Sequence, residues 1–272
     1  MTRATPRRYA GTAAHRGVVS VHHTSRRGHV TADRTPDLTA YDAVLFDLDG
    51  VLTPTAEVHM HAWRTMFEEL FADWGITPPY TDDDYFASLD GKKRYDGVAS
   101  LLRSRDVEVP WGAPDDPPSA DTVCGIGNRK NLVFERVLRQ DGIAPYPGSI
   151  ALLDHLATAA VPVAVVSSSK NAEEVLGVAG IRDRFPVVMD GVIAERDHLA
   201  SKPAPDVFVE AARMLDVDPA RCAAVEDAIS GVESAAAGGF GLVVGVDRGV
   251  GAAALRAAGA HIVVEDLEEL VP

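Results

Sequence analysis

The chain is short of cysteine, of long apolar runs and, beyond its first forty positions, of basic residues. Cys124 and Cys222 are its two cysteines, which excludes a disulfide framework and a four-cysteine zinc site. Two free thiols in a reducing cytoplasm are expected instead. No apolar run approaches the roughly 18–20 residues that cross a bilayer, so no membrane partner is expected. After position 40 there are 19 basic against 38 acidic residues, a balance of −19. So acidic a body is a poor nucleic-acid binder. An anion must be held there through a local cationic pocket or a metal ion. Residues 1–40 differ: seven arginines and two aspartates give +5. They lack sustained periodicity and an export h-region, and read as a disordered tail or an over-long start. No internal repeat is present, and a cytoplasmic monomer is expected.

What is there is alternation. Candidate strands at 43–46, 161–166, 186–189, 222–225, 241–246 and 261–264 are short and almost continuously apolar, as strands buried on both faces of a parallel sheet are. Helical patterns at 149–159, 172–179, 205–215 and 229–237 separate most of them, which predicts a doubly wound α/β fold, Rossmann-like in its parallel sheet. One interval breaks the rhythm. Between the first strand and Pro145, Trp63, Met66, Phe67, Leu70, Phe71 and Trp74 form a helical apolar stripe. Further helices are expected at 92–105 and 129–140, with an irregular Pro-, Asp- and Gly-rich stretch at 106–127 between them. The predicted organisation is a core of residues 41–55 and 145–272, with a helical domain of residues 56–144 inserted after its first strand.

In open parallel sheets, ligands bind beyond the carboxyl ends of the strands. Four polar clusters fall at such ends: Asp47 and Asp49 in "FDLDG", Ser167 to Asn171 in "SSSKN", Lys202 in "SKPAPDVF", and Glu226 with Asp227 in "VEDAISG". Each has an ordinary explanation alone: a helix cap for Ser167, a solvated loop for Lys202, helix-start charges for Glu226 and Asp227. Together, in this order, they spell phosphoryl transfer. The acids supply hard oxygen ligands for Mg²⁺, which lets a carboxylate approach a phosphate dianion. One Asp can then attack phosphorus while the other moves a proton. Ser167 and Lys202 would hold the equatorial oxygens.

This motif set resembles the haloacid dehalogenase superfamily over about residues 42–271, and within it the beta-phosphoglucomutase group. The stretches "FDLDGVLTPTAEVHMHAW", "LDGKKRYDG", "SSSKN", "SKPAPDVF" and "VEDAISGVESAAAGG" carry the likeness. The resemblance implies Asp47 as nucleophile, Asp49 as general acid/base, and Mg²⁺ on Asp47, the Asp49 carbonyl, Asp227 and Glu226. It implies a mobile cap, with Thr55, His59 and Trp63 near the cap–core seam. Leu89, Gly91 and Arg94 would form the cap's substrate loop, with Ser169, Lys170 and Asn171 on the core side. The implied substrate is a small sugar phosphate, and the implied reaction converts β-glucose 1-phosphate to glucose 6-phosphate through the 1,6-bisphosphate. Pro54, Asp90, Gly97 and the long 106–127 stretch depart from the group's pattern. A sugar-phosphate phosphatase is the alternative. A receiver-like phospho-Asp module is a third reading, against which Asp49 and the inserted segment count.

Overall fold

Six strands form one fully parallel sheet in the order β3-β2-β1-β4-β5-β6. They are β1 (Ala43–Phe46), β2 (Val163–Val166), β3 (Val187–Met189), β4 (Cys222–Glu226), β5 (Leu242–Val246) and β6 (Ile262–Val264). The computed structural model describes residues 36–89 and 94–272. Most of the expected tail, and Gly91 of the expected substrate loop, lie outside the described residues. The boundary expected at residue 40 moves inward. Leu38 is buried in the core, and the Asp37 side chain caps the short 3-10 turn Leu38–Ala40.

Alternate residues of β1 feed opposite faces. Val44 and Phe46 join the core that includes Leu152, Leu153 and Leu267, whereas Ala43 and Leu45 join the one containing Phe208, Ala211 and Val232. Coverage on both faces is why the strand reads as an unbroken apolar run. Chain direction changes sides between β1 and β4, so the switch point, where ligand crevices open, lies at the carboxyl end of β1.

Between β1 and β2 come α1 (Thr55–Trp74), α2 (Asp82–Asp84), α3 (Arg94–Arg103), α4 (Val123–Asp141) and α5 (Pro147–Thr158). A π-helical turn at Tyr85–Leu89 follows α2. The other helices are α6 (Ala172–Val178), α7 (Gly191–Arg196), α8 (Asp206–Met214), α9 (Ile229–Ala237) and α10 (Ala252–Ala258). The α1 stripe packs as its spacing predicts. Phe67 lies 5.6 Å from the Trp63 ring, 5.5 Å from Phe71 and 5.8 Å from Tyr80. Among the described residues no helix is long and apolar enough to cross a membrane.

One sequence expectation fails in the insert. Residues 123–127 were expected to be irregular but form the first turn of α4, where Thr122 Oγ1 accepts from the Gly125 amide at 3.0 Å. The glycines that suggest a loop serve close packing instead. A Cβ on Gly127 would stand 2.7 Å from the Tyr95 ring, and one on Gly125 would stand 2.4 Å from the Ala120 carbonyl. The short helices α7 and α10 were not anticipated, because six or seven residues give too few turns for a periodic signal.

Phe67→Ala should lower the unfolding free energy by about 3–5 kcal/mol, the usual result of emptying a buried phenyl site. Urea denaturation of the full chain measures this. A loss under about 1 kcal/mol would show that the α1 aromatic stack is not a core.

Candidate active site

The loop after β1 is wound so tightly that its carboxylates cannot drift apart. Asp47 extends the ladder, its amide donating to the Val225 carbonyl at 2.9 Å. The Leu52 and Thr53 amides then both return to the Leu48 carbonyl, at 3.0 and 3.1 Å, and the Gly50 amide donates to the Thr53 carbonyl at 2.8 Å. Gly50 sits at φ +83°, and a Cβ there would fall 2.0 Å from Asp227 Oδ2. Only glycine therefore suits this point, on backbone and on space. The loop is thereby pressed against the acid that follows β4.

Lys202 enters from the turn before α8. Its ammonium donates to Asp47 Oδ1 at 2.5 Å, Glu226 Oε1 at 2.6 Å and the Val166 carbonyl at 2.9 Å, and lies 4.9 Å from the Phe208 ring centre. Burial pulls this amine's pKa down. The charges and hydrogen bonds of Asp47 and Glu226 more than reverse that and hold it above the usual lysine range. Asp47 is raised well above the carboxylate range by burial, against Lys202 and with help from Glu226, Asp49 and Asp227. Asp49 is raised by burial and partly restored by the Thr55 hydroxyl, which donates to its Oδ1. Asp227 rises to about 8, from burial and then the neighbouring Glu226 and Asp49. Glu226 uses Oε1 on Lys202 and Oε2 on the Ala228 amide at 2.9 Å, and so backs the cluster.

Ser167 continues the β2 edge, its amide donating to the Met189 carbonyl at 2.9 Å. Its hydroxyl accepts from the Ser169 amide at 3.0 Å, and the Ser169 hydroxyl accepts from Asn171 at 3.1 Å. These bonds coil the loop over the strand end next to Asp47. Asn171 Nδ2 and Arg94 Nη2 both donate to Asn131 Oδ1, each at 2.9 Å. One side-chain oxygen of α4 thus joins the helical insert to the core loop. Lys170 points elsewhere, to Glu195 at 2.6 Å on the surface. Leu89 packs in the main core.

His59 and Trp63 meet through a residue that sequence reasoning missed. Lys130 of α4 is buried, with its amine 2.6 Å from His59 Nδ1, 5.1 Å from the Trp63 ring centre and 4.9 Å from that of Phe134. His59 itself stacks on Phe134 at 4.3 Å. Burial, then Lys130 and Arg94, push His59 well below the usual histidine range. The neutral ring and the amine therefore share one hydrogen bond at Nδ1, whose direction follows the ring's tautomer. Lys130 falls to about 7, chiefly by burial and then Arg94, with Asp49 opposing. The signal in the sequence was a lysine inside the apolar stripe Ile126–Val133–Phe134. Arg248, Tyr146 and Ser149, which grip the Asp47 loop from outside, carried no motif at all.

No group of three or more His, Cys, Asp or Glu side chains among the described residues stands in a ready metal-ligating arrangement. The donor chemistry nevertheless fits a hard cation. Buried Asp47 and half-buried Asp49 and Asp227 are oxygen donors whose pKa values are raised by desolvation and then by the negative charge of neighbouring carboxylates.

The chain belongs to the haloacid dehalogenase-like hydrolase family, whose model matches residues 41–239. It is 47% identical over 239 residues to beta-phosphoglucomutase of Mycobacterium bovis, covering 84% of this chain and 91% of that one. Among solved structures, beta-phosphoglucomutase of Clostridium difficile superposes with a TM-score of 0.66 at 26% identity, covering 85% of this chain and 93% of that one. CbbY of Rhodobacter sphaeroides, in complex with xylulose 1,5-bisphosphate, matches with a TM-score of 0.64 at 27% identity, covering 85% and 96%.

Replacing Lys130 by Met should stabilise the protein, by on the order of 2 kcal/mol at pH 7. Below about pH 7 both folded and unfolded chains hold the lysine proton, so the burial penalty is fully felt. Between about 7 and 10.5 the unfolded chain keeps a proton that the folded chain has lost, so wild-type stability climbs with pH. The stabilisation by Lys130→Met should therefore shrink between pH 7 and pH 9.5 in urea titrations. A gain independent of pH would mean that the amine is not depressed.

Proposed function

We propose that this chain transfers phosphoryl groups through an aspartyl phosphate on Asp47, and that it interconverts β-glucose 1-phosphate and glucose 6-phosphate through the 1,6-bisphosphate. The observation that carries the reading is the division of the site into two anchors. One is the Asp47–Lys202–Glu226 cluster with Asp49 and Asp227 beside it. The other is the pair Arg94 and Asn171, which meet at Asn131 and not at the carboxylates. A sugar bisphosphate has one phosphate for each. The 47% identity to a beta-phosphoglucomutase and the likeness to a sugar-bisphosphate complex support the same choice.

In this reading residues 56–144 form a cap on a core of residues 41–55 and 145–272, and the enzyme is a cytoplasmic monomer. Asp47, Asp227 and the Asp49 carbonyl would hold Mg²⁺, with Glu226 behind them. When bound, the ion offsets the crowded negative charge and draws a phosphate oxygen into place. Asp47 attacks phosphorus as the P–O bond to the sugar breaks, and the leaving sugar oxygen takes its proton from the Asp49 carboxyl. When the bisphosphate gives up its C1 phosphoryl group the sugar leaves as glucose 6-phosphate. In the return step the 6-hydroxyl of a β-glucose 1-phosphate gives its proton to Asp49 and takes the phosphoryl group from Asp47, which regenerates the 1,6-bisphosphate. The raised pKa of Asp49, from burial, favours its proton-giving form relative to an ordinary carboxylate. Lys202, fixed in its charged form, and Ser167 steady the transferring group. His59 and Lys130 lie at the seam beneath the sugar, with Thr55 orienting Asp49, Trp63 flanking the amine, and Ser169 ordering the loop before α6.

The decisive assay supplies β-glucose 1-phosphate, Mg²⁺ and catalytic glucose 1,6-bisphosphate, and measures glucose 6-phosphate and free phosphate separately. Glucose 6-phosphate in large excess supports the mutase; free phosphate in its place makes the protein a phosphatase. Arg94→Lys should raise the KM for the bisphosphate about tenfold, since an ammonium cannot hold two phosphate oxygens as a guanidinium does. Acetyl phosphate hydrolysis, with no second phosphate, should stay within about threefold. Equal losses on both substrates would make Arg94 a support for the insert instead.

A further inference from the structure

The carboxylate loop is held from outside by three residues that donate to successive carbonyls. Arg248 Nε donates to Gly50 O at 2.8 Å, Ser149 Oγ to Val51 O at 2.7 Å, and the Tyr146 amide to Leu52 O at 3.0 Å. Gly50, Val51 and Leu52 are all buried, so these carbonyls depend on the protein for their hydrogen bonds. Arg248 differs from the other two because it brings a full charge. It lies two residues beyond the end of β5, just past the strand that borders β4. Its guanidinium lies over the Tyr146 ring at 3.9 Å, and Nη1 donates to the Glu265 carbonyl at 3.1 Å. Nη2 is buried without a hydrogen-bond partner, with Asp266 Oδ2 at 3.9 Å. Ring, carbonyl and carboxylate thus hold the guanidinium plane, and that plane aims one N–H at Gly50.

Gly50 is the point where orientation matters most. It is flanked by Asp49 and presses against the Asp227 carboxylate, so a Cβ there would stand 2.0 Å from Asp227 Oδ2. A rotation of the Gly50–Val51 peptide, whose carbonyl Arg248 holds, would twist the chain at Gly50, next to Asp49, and shift the loop against Asp227. We propose that Arg248 is a positioning residue for the phosphoryl-transfer loop: its hydrogen bond to the Gly50 carbonyl fixes the Asp47–Thr53 turn against Asp227 and so sets the mutual placement of nucleophile and acid/base. The inference rests on the phosphoryl-transfer reading but not on the choice of sugar. Arg248 touches the loop's outer side, whereas Arg94 serves the second anchor. Its loss should therefore be felt equally with every phosphate donor.

The test uses the full chain with Arg248→Met and Arg248→Lys. Two readouts are taken: steady-state kinetics at saturating Mg²⁺ on both acetyl phosphate and β-glucose 1-phosphate, and amide hydrogen exchange of peptides spanning 47–53. Arg248→Met should lower kcat roughly 10- to 100-fold on both substrates, the scale of an ångström-sized misplacement, with KM within about threefold. Exchange at the Gly50, Leu52 and Thr53 amides should quicken while peptides from α8 stay as in wild type. Arg248→Lys should recover several-fold in kcat over Arg248→Met, because an ammonium still reaches the Gly50 carbonyl but lacks the plane that stacks on Tyr146. A kcat within threefold of wild type for Arg248→Met, a rise in KM with kcat unchanged, or exchange that quickens everywhere alike would each overturn the proposal. If wild type turns over neither substrate, the phosphoryl-transfer reading falls. Exchange quickened only at 47–53 would then still show Arg248 as the anchor of the loop.

Discussion

The Lys202 ammonium, wedged between Asp47 and Glu226, is the interaction on which the rest of the site depends. Parallel pairing of β1 with β4 sets Phe46 beside Val225, which brings the acids that follow each strand within a strand spacing of one another. Burial alone would drive them to take up protons. Lys202 opposes that for Asp47, without overcoming the effect of burial, by spending all three of its donors on two carboxylates and the Val166 carbonyl. The amine is thereby fixed as a cation, and its charge pulls against the burial that favours a protonated Asp47. Asp227 has no such partner, and its rise to about 8 shows how much negative charge is left over. Adding a phosphate dianion to that surplus would be strongly unfavourable without one more positive charge, and this is the physical case for a divalent cation here.

A second buried lysine behaves in the opposite way, and the contrast shows what each surrounding is for. Lys130 also sits among aromatic rings, but its hydrogen-bond partner is neutral His59 and its charged neighbour is Arg94. Without a carboxylate against it the amine falls to about 7. Any anion brought close to it restores its proton, since an opposite charge at short range favours the charged form. Lys202 is therefore saturated before substrate arrives and Lys130 is not. The first keeps a permanent field at the sheet edge. The second exacts a standing folding penalty that only a bound anion relieves.

The fold was largely legible because its signals are local. A strand buried on both faces has to be apolar throughout, and β1, β2, β4 and β5 were placed to within two residues on that ground alone. The strand-end acids were legible for a related reason: Asp47 and Glu226 interrupt apolar runs where a core residue would otherwise continue. What stayed hidden was whatever acts through shape at a distance. Gly125 and Gly127 looked like loop residues, yet they let Ala120 and Tyr95 approach α4. Asn131 is an ordinary helical asparagine until Arg94 and Asn171, 37 and 40 positions away, are seen to share its oxygen. Arg248 lies 198 residues from the carbonyl it holds. No periodicity encodes such pairings, because they depend on how the layers stack and not on any one segment.

Where α4 of the proposed cap meets α6 of the proposed core, the contacts are ones that water can replace. Inside the insert, α1 and α4 share apolar contacts such as His59 on Phe134, and the Trp63–Phe67–Phe71 stripe is wholly buried. Across the seam, α4 meets α6 and the loop before it through polar groups: Asn131 with Asn171, and Arg139 with Glu174 at 2.7 Å. An ion pair as exposed as Arg139 with Glu174 contributes about 0–1 kcal/mol, and a single neutral hydrogen bond about 0.5–1.5 kcal/mol. Water can replace both, whereas it cannot replace the packing between α1 and α4 except at several times that free energy. A phosphate placed between Arg94 and Asn171 would substitute for the Asn131 oxygen and carry more charge than it. A bound phosphate would thus link Asn171, which already reaches the insert through Asn131, to Arg94 on the insert side.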